Sequence, residues 1–133
     1  MSQLINSDMV VTFDCDDTLV IWNDNEYWVS GSDKVCFEDP YDKSMIFLYP
    51  HTQHINLMKK YKAQGYTVIV WSAGGSLWAK EVVDKLKINN LVDVIMSKPI
   101  KYVDDLPASQ ILGSRVYIPF KHLKRVIEPG EQE

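Results

Sequence analysis

The chain has 133 residues, 46% of them hydrophobic and 24% charged, with a formal net charge of −4. That length suits one domain with its own core, and the balance is that of a folded protein rather than a disordered or fibrous one. The negative charge argues against broad electrostatic binding to nucleic acid, and runs such as Val68-Ile69-Val70-Trp71 fall far short of the roughly 20 apolar residues of a membrane span.

Residues 1–8 carry neither a basic region nor an apolar stretch, so no secretory signal is expected. Cys15 and Cys36 are the only cysteines, and their spacing suggests no metal site. A reducing, cytoplasmic compartment is the expectation.

In chain order, Met9-Val10-Val11-Thr12-Phe13 is a β-rich run that stops at the acids Asp14 to Asp17 and reads as a buried strand. From Trp22 to Pro50 there is no helical periodicity. Within that stretch Glu26-Tyr27-Trp28-Val29 and Val35-Cys36-Phe37 read as a hairpin, placed to overhang the acidic strand end as a flap. Its aromatics, Trp22, Tyr27, Trp28, Phe37 and Tyr41, suit either a small hairpin core or stacking on a base or sugar.

Ile55, Leu57, Met58 and Tyr61 then recur at helical spacing, with Gly65 as the stop. His51 and His54 lie one turn apart, but no Cys or acid accompanies them at zinc-ligand spacing. Tyr66 to Trp71 predicts a second strand. Ser76 is placed to cap a helix running to Leu86, with Leu77, Val82, Val83 and Leu86 facing inward. Val92 to Met96 predicts a third strand, Tyr102-Val103 a short fourth, and Val116-Tyr117-Ile118 a fifth closed by Pro119. Lys121, His122, Lys124 and Arg125 read as the solvated face of a last helix, and residues 128–133 as a disordered tail.

Apolar strands alternating with amphipathic helices predict an α/β fold. The expected form is a three-layer, Rossmann-like, parallel five-stranded sheet with helices on both faces. It makes one domain over residues 1–133, with a flap inserted at about residues 22–50. Ligands collect at the carboxyl ends of such strands. Asp14 and Asp16 follow the first strand, Ser72 the second, Lys98 the third, and Asp104 with Asp105 the fourth, so the chemically suggestive residues share one rim.

Phosphoryl transfer needs a nucleophile, a proton donor for the leaving oxygen, and cations against the phosphate charge. Asp14 supplies a nucleophile and Asp16 a proton carrier. Crowded carboxylates suit magnesium, with Asp104 completing the ligands. Lys98 and Ser72 are placed to hold phosphate oxygens, and the amides of Ala73-Gly74-Gly75 to approach them.

In order and context these residues resemble the haloacid dehalogenase superfamily. Asp14-x-Asp16-x-Thr18 after a hydrophobic strand is similar to its first motif, and Val68-Ile69-Val70-Trp71-Ser72 to its second. Ser97-Lys98-Pro99 is similar to the third and Val103-Asp104-Asp105 to the fourth, in its paired-acid form. The resemblance covers about residues 9–118 and implies a small phosphohydrolase without a large cap domain. It implies that Asp14 is nucleophile and metal ligand, and that Asp16 is general acid/base and lends its backbone carbonyl to the metal. It implies further that Ser72 and Lys98 bind phosphate, and that Asp104 ligates magnesium with Asp105 beside it. The short gap between Lys98 and Asp104 leaves no room for a helix there, which makes Lys101 the substitute for Lys98.

A nucleotide or other small phosphate ester is the expected substrate; a 3′-phosphorylated polynucleotide end or a phosphoprotein is the alternative. A receiver-like phosphoacceptor domain uses the same residue types, but its acidic pair follows strand one and its phosphorylated Asp strand three. Here strand one carries the spaced acids and strand three ends in Ser97-Lys98.

Overall fold

The computed structural model describes residues 9–22 and 34–120. Chain order runs β1 (Val10–Phe13), β2 (Val20–Ile21), β3 (Val35–Glu38), β4 (Met45–Pro50), α1 (Thr52–Ala63), β5 (Thr67–Ser72), α2 (Ser76–Leu86), β6 (Val94–Ser97) and α3 (Ala108–Ile111). A 3-10 turn, Asn89–Leu91, precedes β6.

The architecture is mixed α/β. Strands β1, β5 and β6 pair in parallel in that spatial order, with Phe13 beside Val70 and Ser72 beside Ser97. Both crossovers step the same way across the sheet, so right-handed connections place α1 and α2 on one face. The burial pattern agrees. Along β5, Val68, Val70 and Ser72 are wholly buried while Thr67, Ile69 and Trp71 are only half-buried. The inward set joins Phe13, Met58, Trp78, Val82 and Val83 in a single core.

Helix α1 ends where Gly65 adopts φ +91, a conformation costly for any residue with a Cβ. In α2 the inward positions are Trp78, Ala79, Val82 and Val83, while Leu77, expected inward, is exposed. Ser76 is not the cap but the first helical residue. Its N–H donates to Ser97 Oγ at 2.9 Å, so a side chain of β6 satisfies the helix start.

Among the described residues three strands, not five, form the parallel sheet. Tyr102 and Val103 lie in an exposed irregular segment bounded by Pro99 and Pro107, which cannot donate to a ladder. Asp104 bends that segment by accepting the Leu106 N–H at 2.9 Å. Val116 to Ile118 has no strand partner among the described residues, and both backbone polar groups of Ile118 are taken by histidine side chains.

The flap also pairs differently from expectation. Val35 to Phe37 is a strand, but it pairs antiparallel with β4, and β4 pairs onward with β2. The expected partner, Glu26 to Val29, lies outside the described residues, as do Lys121 to Arg125 and residues 128–133. The described part of this ribbon is anchored to α2. Phe37 is fully buried and meets Trp78 edge-on at 5.8 Å, and the Glu38 N–H donates to Glu81 Oε2 of α2 at 2.8 Å.

Candidate functional site

The turn after β1 is fixed from several sides. Cys15 O accepts the N–H groups of Thr18, Leu19 and Val20 at 3.1, 2.8 and 3.1 Å. Asp17 takes φ +59, a left-handed conformation that Asp tolerates better than most side chains. The next carbonyls are held from outside the turn: Tyr117 Oη donates to Asp17 O at 3.1 Å, and the His51 N–H donates to Leu19 O at 2.9 Å. Such support holds the acids on a rigid base, as a reacting constellation requires.

Within this turn Asp14 and Asp16 meet different surroundings. Asp14 Oδ1 lies 3.8 Å from Lys98 Nζ, and both side chains are partly exposed. An ion pair of that length and exposure adds little stability, about 0–1 kcal/mol. It does put a cation beside the carboxylate. Lys98 holds this place because its N–H donates to Ser72 O at 2.8 Å, extending the β5–β6 pairing by one residue. Lys101 is exposed.

Asp16 is fixed by two tryptophans that the sequence did not single out as its partners. Oδ1 accepts Trp22 Nε1–H at 2.7 Å and Trp78 Nε1–H at 3.0 Å. Hydrogen bonds to a charged acceptor contribute about 1.5–3 kcal/mol each, enough to lock one rotamer. Oδ2 takes no hydrogen bond among the described residues, which leaves one oxygen for proton exchange. The Trp-to-Asp pairing is invisible in sequence, since 62 positions separate Trp78 from Asp16.

Ser72 is fully buried. Its Oγ accepts the Gly74 N–H at 3.0 Å and shares a hydrogen bond with Cys15, so in this arrangement the hydroxyl shapes the 73–75 turn. Gly74's amide is occupied by that bond. Ala73 is different: it follows the last residue of β5 and is the first residue of the turn. Its N–H has no acceptor among the described residues and is the amide available to an anion. The Cys15 thiol is pushed up to about 12 by burial, reinforced by the Asp16 and Asp14 carboxylates and only partly offset by Ser72. It stays protonated, which removes the one cysteine near the acids as a nucleophile.

Magnesium was expected on Asp14, Asp16, Asp104 and Asp105. Asp14 and Asp16 are hard oxygen donors of the right kind. Asp104 and Asp105, however, are exposed, with Asp104 drawn into its own turn. Among the described residues no three His, Cys, Asp or Glu side chains are grouped to hold an ion. The four carboxylates expected around the ion are therefore not gathered in one group among the described residues.

Beside Asp16 opens a cleft of about 230 Å³, walled by Trp22, Tyr41, Ile46 and Trp78 and floored in part by Asp39 and Gly74. Tyr41 latches the ribbon to the turn after β5, its hydroxyl donating to Gly74 O at 3.0 Å. Gly75 permits this closeness. It sits at φ +104, and a Cβ there would lie 2.5 Å from Tyr41 Oη. Gly75→Ala is expected to cost about 1–3 kcal/mol in backbone strain and to displace Tyr41. Urea denaturation and loss of near-ultraviolet aromatic dichroism measure the two effects; an unchanged midpoint would show that the latch is not under this constraint.

No helix among the described residues is long and apolar enough to cross a membrane. No family model matches the chain, and no curated protein or solved structure matches it either.

Proposed function

We propose that the chain hydrolyses phosphate monoesters through an aspartyl-phosphate on Asp14. The observation that carries this reading is the pair of spaced acids at one strand end. One faces the ammonium of Lys98 at 3.8 Å, and the other is held by two indoles with an oxygen to spare.

A carboxylate oxygen of Asp14 attacks phosphorus as the ester P–O bond breaks, and Asp16 delivers its proton to the departing alkoxide. Water then attacks the aspartyl-phosphate. Asp16 takes that water's proton, the bond from phosphorus to Asp14 breaks, and phosphate leaves with both acids restored. Lys98 and the Ala73 amide offset the charge gathering on the phosphoryl oxygens. Dependence on magnesium belongs to the same reading and requires Asp104 or Asp105 to leave its turn. The small cleft favours a small ester, a nucleotide among them, over a polymer end or a phosphoprotein.

The test is phosphate release from a panel of an aryl phosphate, nucleoside monophosphates, sugar phosphates, amino-alcohol phosphates and 3′-phosphorylated oligonucleotides, with magnesium and with excess chelator. Release from a small ester that chelation abolishes is the expected result. Folded protein that releases phosphate from none of them would overturn the reading.

A further inference from the structure

The walls of the cleft beside Asp16 have an uncommon property: each of its three aromatic rings is tied by its own polar atom. Trp22 and Trp78 give their indole N–H groups to Asp16, and Tyr41 gives its hydroxyl to Gly74 O. With the tips held, Trp22 and Tyr41 line the space as exposed rings, and Trp78, 6% exposed, borders it from the core. Trp22 and Trp78 are tilted at 47° with centroids 6.3 Å apart, so they are not stacked on each other. Trp22 and Tyr41 are 46% and 64% exposed.

The charges in the cleft have one sign. Asp16 and Asp39 line it, and among the described residues no Lys or Arg does. Asp39 Oδ1 caps its own turn by accepting the N–H groups of Tyr41 and Asp42 at 2.8 and 3.3 Å, and among the described residues it has no cationic partner. Electron-rich ring faces together with an unneutralised carboxylate attract a cation, and a bulky methylated ammonium sheds its hydration more easily than a primary amine does. A neutral nucleobase would gain from the rings but nothing from the carboxylates. A second phosphate would be repelled. The volume, about 230 Å³, is below the roughly 300–1,000 Å³ of pockets that enclose a drug-sized ligand. It suits one compact group.

We propose that this cleft binds a quaternary ammonium group carried by the leaving alcohol, making the preferred substrate the phosphate monoester of a quaternary amino alcohol. The proposal rests on the phosphohydrolase reading for its substrate, and on the cleft alone for its cation. Asp39 acts as counter-ion, while Asp16 at the rim meets the ester oxygen. The rings are already oriented by their tied tips, so little side-chain freedom is lost on binding.

The test separates the two parts. Tetramethylammonium chloride is titrated into the full chain while tryptophan fluorescence is followed, with sodium chloride and adenosine as parallel titrants. A saturable response to tetramethylammonium alone is expected, weakened about tenfold in Asp39→Asn, whose amide oxygen still caps the turn, and in Tyr41→Leu. No saturable response in the folded protein, a response untouched by Asp39→Asn, or saturation by adenosine instead would each overturn the cation site. None of these readings needs hydrolysis. If phosphate release is found, kcat/KM for choline phosphate over its neutral isostere 3,3-dimethylbutyl phosphate is expected to exceed about ten and to fall towards one in Asp39→Asn. A ratio near one in the unaltered protein also overturns it.

Discussion

Replacing Asp14 by Asn is expected to reduce phosphate release by at least about 10³-fold while leaving the unfolding midpoint within about 0.5 kcal/mol of the parent. The amide keeps the shape of the carboxylate but cannot form the acyl phosphate. Its structural loss is small, because the Lys98 contact is 3.8 Å long and both partners are partly exposed. Acid quench with labelled ester gives a second reading: a covalent phosphoryl-protein in the parent and none in Asp14→Asn. Residual turnover above a few per cent, with the label still trapped, would move the nucleophile elsewhere. Asp16→Asn has a different signature. Esters with poor leaving groups are expected to slow by about 10²–10⁴-fold, and activated aryl esters far less, because only the former need a proton on departure. Equal slowing of both classes would count against Asp16 as the acid.

The largest stability effect is expected at His54, in a clasp that lies away from the acids yet holds their turn. His51 and His54 are buried and stacked with centroids 3.7 Å apart. His51 Nε2–H donates to Ile118 O at 2.7 Å, and its Nδ1 accepts the His54 N–H at 3.2 Å. His54 Nδ1–H donates to Thr18 O at 2.6 Å, and its Nε2 accepts the Ile118 N–H at 2.9 Å. Each ring thus uses one nitrogen as donor and one as acceptor, which only the neutral form can do. His54→Ala leaves the Thr18 carbonyl and the Ile118 amide without their partner and opens a void. The expected loss is about 3 kcal/mol, measured by urea denaturation.

The same clasp sets a pH dependence. Burial lowers both histidines' affinity for protons, and for His51 its stacked neighbour adds to the effect. The folded protein therefore binds fewer protons than the unfolded chain once the pH falls below the ordinary histidine value of about 6.5. The contribution is fully present above that pH and is lost as the pH falls through the lowered values. Among the described residues the pair's partners are backbone groups and the rings of Tyr117 and Phe120, and none is a carboxylate that would oppose this direction. Each proton taken up on unfolding is expected to cost about 1.4 kcal/mol per pH unit in that window. Comparing unfolding free energies at pH 7.5 and 5.5 in the parent and in His51→Ala/His54→Ala isolates the pair. An equal slope in both proteins would clear the histidines of the effect.

The sequence by itself determined the elements whose periodicity is local. The apolar runs of β1, β5 and β6, the helical spacing of Ile55, Met58 and Tyr61, and the stop at Gly65 reflect backbone preferences and burial patterns only a few residues long. Because parallel strands end on one rim, those runs also placed Asp14, Asp16 and Lys98 together. The tertiary structure decided whatever joins residues far apart in the chain. It gave β3 to β4 as partner, turned Trp78 rather than Leu77 inward to reach Asp16, and closed the cleft through Tyr41. Among the described residues it also left Tyr102, Val103 and Val116 out of the sheet. Prolines that cannot donate bound the segment of the first two, and histidine side chains take the backbone groups of Ile118. Propensity is a property of neighbours in sequence; a partner for a hydrogen bond is a property of the fold.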